Sequence, residues 1–173
     1  MALPPIYPPD AVKPFREELT AVGFEELKTP QDVDAAIRST QGTLLCVINS
    51  VCGCAAGSAR PGVGMALQNK VIPDKLVTVF AGMEREAVDR VRELHADAAP
   101  PSSPSMVLFK DGQVAAMFPR SEIEGRTPQE IAEGLAAAFN EFCSKKGPSI
   151  PAEELAKLRH IKMCGSQIPR FGA

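Results

Sequence analysis

Leu44-Leu45-Cys46-Val47-Ile48-Asn49-Ser50-Val51-Cys52-Gly53-Cys54-Ala55-Ala56-Gly57 runs a buried-strand pattern straight into two cysteines separated by one glycine. Thr43 to Ser50 is nearly continuously apolar and bounded by polar residues, which predicts a central strand covered on both faces. Helix formers resume after Cys52, but Gly57, Pro61, Gly62 and Gly64 predict a weak, kinked helix. Thiols at i and i+2 project about 200° apart on an ideal helix. The pair can therefore meet only where the backbone is not yet helical, and Gly53 is read as supplying that freedom. On this reading Cys52 is an exposed nucleophile at a strand-to-helix junction, and Cys54, just inside the helix, is its resolving partner.

Working outward, Leu76 to Ala81 forms a second buried strand, and Ala87, Val88, Val91 and Leu94 mark one face of the helix after Gly82. Strand, helix, strand, helix is a βαβ unit, hence parallel pairing with a right-handed crossover. Residues 98–104 form a proline-rich loop. Ser105 to Phe109 and Val114 to Phe118 then make a hairpin about the Lys110-Asp111-Gly112-Gln113 turn, adding an antiparallel edge. Thr127-Pro128-Gln129-Glu130 combines an N-cap, a first-turn proline and a capping-box glutamate ahead of the apolar stripe Ile131, Leu135, Ala138, Phe139 and Phe142. Upstream, Phe15, Leu19 and Val22 predict a helix ended by Gly23, and Thr29-Pro30 opens another carrying Val33, Ala36 and Ile37. The fold class is thus α/β, a central mixed sheet with helices on both faces. The core domain spans 1–146, and 147–173 is a C-terminal extension with a short helix over 151–161 and a loose end through Cys164 and Pro169.

At 173 residues, 45% hydrophobic and 23% charged, the chain has the composition of one soluble globular domain. A net charge of −2 with no Lys/Arg cluster argues against nucleic acid, and no apolar run approaches a membrane span. The first nine residues have neither a basic segment nor an apolar core, so a cytoplasmic location is expected. Cysteines number five, which in a reducing compartment reads as free thiols rather than a disulfide framework.

The order of elements looks like a thioredoxin fold, and Ser103-Pro104-Ser105-Met106-Val107-Leu108-Phe109-Lys110-Asp111-Gly112 resembles the thioredoxin run in which a cis-proline faces the active site. More closely, Gly23-Phe24-Glu25-Glu26-Leu27-Lys28-Thr29-Pro30 together with Val47 to Ala56 resembles the bacilliredoxins, thioredoxin-like bacterial proteins with a Cys-Gly-Cys motif; the similarity spans about residues 3–145. The resemblance implies thiol–disulfide exchange that removes a low-molecular-weight thiol, bacillithiol where it is made, from protein mixed disulfides, alongside disulfide isomerase or reductase activity. The small thiol is a co-substrate, with no tightly bound cofactor and no metal. The partners implied are client proteins carrying mixed disulfides and a reductase. Gly53, Ser103 and Pro104 carry over as substrate-binding positions. Two features depart from thioredoxins: one residue lies between the cysteines instead of two, and Cys46 stands where thioredoxins place a buried aspartate.

Only a thiolate attacks, and a helix start favours ionisation by roughly 0.3–1 kcal/mol, with backbone N–H donors adding to it. Arg60 and Lys70 are at best remote contributors. A Cys52–Cys54 disulfide would close a small, strained ring that favours exchange over net reduction. The reading from another class is a non-catalytic redox-sensing or metal-binding module using the same cysteines. A closed metal site usually wants four ligands, and no second cysteine pair exists. Cys46 is read as core filler and Cys143 as bland, with Cys164 a candidate second resolving thiol. His95 and His160 are given packing or surface roles. Glu17-Glu18 and Glu84-Arg85-Glu86 are read as solvated helix faces.

Overall fold

The computed structural model describes residues 2–160 and 167–172. Strands β1 (Glu25–Glu26), β2 (Thr43–Asn49), β4 (Lys75–Phe80), β5 (Ser105–Lys110) and β6 (Gln113–Phe118) form one sheet in the order β1-β4-β2-β5-β6. The first three run parallel, while β5 is antiparallel to β2 and to β6. A second, two-stranded sheet pairs β3 (Val71–Ile72) with β7 (Lys145–Lys146). This mixed sheet is the thioredoxin-like α/β arrangement.

Alternation along the buried strands divides the core. Leu45, Val47, Met106 and Leu108 face α3 (Arg60–Ala66) and α5 (Pro128–Phe142). Leu44, Cys46, Ile48, Val107 and Phe109 face α2 (Pro30–Ser39) and α4 (Arg85–Leu94). Because strand side chains alternate with period two, a central strand covered on both sides must be apolar at every position, and β2 is buried along its whole length. The capping signals act as read: Thr29 and Thr127 each accept from the N–H three residues on, and Asp32 and Glu130 answer with reciprocal bonds.

α1 (Pro9–Thr20) covers the end of the sheet where β2 finishes. Tyr7, Val12 and Phe15 pack there with Val51, Phe80 and Met83. The described residues of the C-terminal extension dock rather than hang loose. Ser149 N–H donates to the Leu67 carbonyl (3.0 Å), and Leu155 and Leu158, on and just beyond α6 (Ala152–Lys157), pack on the α3/α5 core. Ile168 is buried beside Phe15, and Phe171 N–H donates to the Ile6 carbonyl at 2.8 Å. Burial of apolar side chains holds this segment, a signal that its sparse hydrophobic pattern conceals. Ile161 and Cys164 lie outside the described residues.

Candidate active site

Register brings the site together. Ile48 of β2 pairs with Ser105 of β5, so the chain leaving β2 toward the cysteines runs beside the Ser102–Pro104 loop entering β5. The Ser103–Pro104 peptide is cis, and Pro104 is buried while Ser103 is partly exposed. Gly147–Pro148, where no such bond was expected, is also cis.

Cys52 occupies the helix cap. Its N–H donates to Ser50 Oγ (3.1 Å), and its carbonyl accepts from the N–H groups of Ala55 (3.0 Å) and Ala56 (3.2 Å). Residues Ala55–Ala59 then wind as a π-helical turn, with Arg60 N–H donating to the Ala55 carbonyl five residues back. The helix expected to be weak is entered through this wide turn, and α3 runs on regularly from Arg60 through Pro61, Gly62 and Gly64. Cys52 and Cys54 are both free and partly exposed, with their Sγ atoms 3.4 Å apart, hydrogen-bonding distance for sulfur. Gly53 is exposed and does not adopt the left-handed conformation, and a Cβ placed on it would meet nothing within 4 Å. Freedom of φ is therefore not what this position requires. A side chain at this position would project into open space.

Burial, and then the hydrogen bond and charge of Cys52, push the Cys54 thiol up, while the Arg120 guanidinium pulls it down. Arg120 went unrecognised in the sequence. Its Nη2 lies 3.7 Å from Cys54 Sγ and its Nη1 donates to the Ser103 carbonyl at 3.2 Å, tying the cis-proline loop to the cysteines. Both thiolate charges raise the Arg120 pKa in return, Cys52 contributing most. A signal did exist: β6 runs antiparallel to β5, so the residues just after Phe118 must return to the end of the sheet where β5 begins.

Beneath the cysteines lies a buried ion pair. Arg60 Nε donates to the Glu18 carboxylate, both side chains being almost fully buried. Arg60 Nη1 also donates to the Ser50 carbonyl (2.8 Å) and Asn49 Oδ1 (3.1 Å), and the guanidinium stacks on Phe15. Desolvation lowers the Arg60 pKa, opposed by Glu18 and, more weakly, by the charge of Cys52. His160 Nδ1 approaches Glu18 Oε1 at 3.1 Å. Two readings are thereby corrected. Glu18 is an interior group, and Arg60 is bonded directly to the loop that carries Cys52. Glu84 is likewise no solvated residue: it pairs with Arg16 and accepts from Phe80 N–H. Helical periodicity places a residue on a face, but it cannot show that an arginine from another element neutralises it there.

The remaining candidates are peripheral. Burial pushes the Cys46 thiol up to about 12, as befits core filler. Cys143 is half-buried and packs against the α3/α5 core, its thiol raised chiefly by burial. His95 is buried with both ring nitrogens unpartnered among the described residues. Lys70 is exposed beside β3. Among the described residues, no group of three or more His, Cys, Asp or Glu side chains is placed to hold a metal, and no helix is long and apolar enough to cross a membrane.

A family profile described as disulphide isomerase matches residues 7–143. The chain is 50% identical over 143 residues to a bacilliredoxin of Salinibacter ruber, covering 82% of this chain and 83% of that protein. It is 52% identical to a bacilliredoxin of Halalkalibacterium halodurans (79% and 94% covered) and 51% identical to one of Geobacillus kaustophilus (79% and 92% covered).

Proposed function

The chain belongs to the bacilliredoxin family, and from that premise we propose that it is a thiol–disulfide oxidoreductase that removes a low-molecular-weight thiol, bacillithiol or a close analogue, from mixed disulfides on client proteins. The observation that carries this reading is the free Cys52/Cys54 pair, 3.4 Å apart at a helix start with the Arg120 guanidinium beside Cys54. Burial and the neighbouring Cys52 sulfur push the Cys54 thiol up, which suits Cys54 to the resolving role. Cys52 is left as the nucleophile.

In the first step Cys52 Sγ attacks the small-thiol sulfur of the mixed disulfide. The client cysteine departs as a thiolate and takes up a proton, and the small thiol is carried on Cys52. Capping Cys52 removes the charge and hydrogen bond that held the Cys54 proton, while Arg120 still favours its loss. Cys54 then attacks Cys52 Sγ, expels the small thiol as a thiolate and leaves a Cys52–Cys54 disulfide. Two electrons from a thiol reductant, one dithiol or two monothiols, restore the pair. Ser103 and Pro104 present backbone to an extended client segment, and the open face at Gly53 lets that segment approach the sulfurs.

The test is a mass spectrum of the Cys54→Ala chain mixed with a protein carrying a bacillithiol mixed disulfide. Transfer of bacillithiol to Cys52 is expected. Absence of any adduct, with the wild-type cysteines instead changing the chain's affinity for a partner on oxidation, would replace this reading with a redox sensor.

A further inference from the structure

A groove of about 380 Å³ opens beside the redox site, and two of its walls, Ser50 and Ser103, belong to the loops that hold Cys52 and Pro104. That volume is in the range of small-molecule sites. Three further walls are the guanidinium-bearing Arg85, Arg92 and Arg170, against a single carboxylate, Asp89. This is a concentration of positive charge on a chain whose net charge is −2.

The arginines are only lightly engaged by the protein. Arg85 Nη1 reaches the Pro4 carbonyl at 3.5 Å, the outer limit of a hydrogen bond, and Arg92 Nη1 stands 3.7 Å from the largely exposed Asp89. Arg92 Nε is buried with no hydrogen-bond partner among the described residues. A buried donor left unmade costs about 1–3 kcal/mol, so the Arg92 guanidinium gains from an acceptor that the groove receives. Arg170 lies over the Tyr7 ring at 5.7 Å, held there by the buried Ile168 and by the Phe171–Ile6 bond. It belongs to the segment beyond residue 143, where the family match ends.

We propose that this groove seats the small thiol: Arg85, Arg92 and Arg170 bind the carboxylates of an anionic low-molecular-weight thiol whose sulfur is presented to Cys52. Guanidinium forks match carboxylates in geometry and charge, whereas a neutral thiol would leave the same donors unmade. The inference rests on the exchange reading above for its second half, the delivery of sulfur to Cys52. Anion binding in the groove stands independently. The C-terminal segment, through Arg170, thus becomes part of the specificity of the site.

Two measurements on the full chain test it. In the first, the Cys54→Ala chain takes up thiol from a peptide carrying either glutathione, with two carboxylates, or neutral 2-mercaptoethanol. The ratio of the two rates should fall about tenfold in Arg92→Gln and in Arg170→Gln, the loss of one charge-assisted bond, and stay put in the control Lys13→Gln. In the second, the Cys52→Ser chain is titrated calorimetrically with S-methylglutathione and S-methylbacillithiol, which cannot exchange. Binding of either that weakens with salt and is lost in Arg92→Gln is the expected result. An unchanged ratio, or no binding of either compound while Cys52 still takes up thiol, overturns the groove and leaves the exchange reading intact. Binding without uptake of thiol from any peptide retains the groove as an anion site and overturns the exchange reading.

Discussion

Arg60 and Glu18, 42 residues apart in the chain, form an ion pair in the interior directly behind the loop that carries Cys52. Arg60 bonds the Ser50 carbonyl while Ser50 Oγ takes the Cys52 N–H, so the pair anchors the Cys52 backbone through a single residue. Thioredoxins put their buried acid on the strand, where this chain has Cys46. Here the buried acid comes from α1 and arrives already paired with a cation.

Removing one member of a buried pair takes from the other its close counter-charge, which typically costs about 3–5 kcal/mol. Arg60→Met should therefore lower the free energy of urea unfolding by that order. Glu18→Gln should cost less, since it keeps the shape and hydrogen-bonding capacity of the side chain. Combining the two should cost clearly less than the sum of the singles, because the double variant removes both charges of the pair together. Strict additivity would mean that the pair is not energetically coupled.

Arg120 acts on the sulfurs from 3.7 Å. Its positive charge lowers the Cys54 pKa, so Arg120→Gln should move the titration of the cysteine pair upward when followed by the ultraviolet absorbance of thiolates. Alkylation at neutral pH should slow a few-fold, as suits a partly exposed contact of up to about 1 kcal/mol. Arg120→Lys should recover part of the charge effect but not the two-pronged contact to Ser103 and Cys54.

The architecture was legible because strands, turns and caps are local. The apolar run at β2, the hairpin about Asp111-Gly112 and the Thr127/Glu130 capping box each act within a few residues. The cysteines were legible for the same reason, being adjacent to the strand end that positions them. Glu18, Arg60 and Arg120 were not, because their meaning depends on which side chains meet across elements distant in sequence. A glutamate on a helix reads as solvated until a buried guanidinium is found beside it. The docked tail was hidden differently: Ile168 is a single apolar anchor, too little to make a periodic pattern, and it matters only because it packs with Phe15 of α1 while the Phe171 N–H ties the chain to Ile6.

Two glycines near the site should respond oppositely to the same change. A Cβ on Gly53 meets nothing within 4 Å, so Gly53→Ala should leave unfolding within about 0.5 kcal/mol of wild type. On the proposed exchange reading, its effect should appear with a protein mixed disulfide more than with a small disulfide. A Cβ on Gly62 would stand 2.7 Å from Ile131 Cγ2, inside the α3–α5 contact. Gly62→Ala should therefore destabilise by about 1–3 kcal/mol, the usual cost of overpacking, and partial relief in the double variant with Ile131→Val would identify the clash.

At acid pH the helix caps should show themselves. Backbone and hydroxyl donors in the two capping boxes hold Asp32 and Glu130 below the ordinary carboxylate range. Carboxylates whose pKa is depressed by folding contribute stability above their unfolded pKa, and that contribution disappears as pH falls through the folded value. Asp32→Asn and Glu130→Gln should each flatten the acid limb of a stability–pH curve while changing its alkaline limb little. An acid limb unchanged in both variants would assign acid unfolding to other groups.

The alkaline limb should report Cys46. Burial raises its thiol from 9.0 to about 12, so the folded protein holds this proton more tightly than the unfolded chain does. The associated stability is complete below pH 9.0 and is lost as pH climbs toward 12, at about 1.4 kcal/mol per pH unit across that window. Other thiols and the lysines titrate in the same range, so the comparison has to be made against Cys46→Val, which keeps an apolar side chain on the α2/α4 face of β2 and removes the ionisable group. Near neutral pH the two proteins should unfold at similar urea concentrations, within about 1.5 kcal/mol for so conservative a core exchange. As pH rises above 9.0 the wild type should lose stability faster, and the difference between the curves should grow with pH. Parallel curves would show that Cys46 ionises without cost, which its complete burial between two helical layers does not allow.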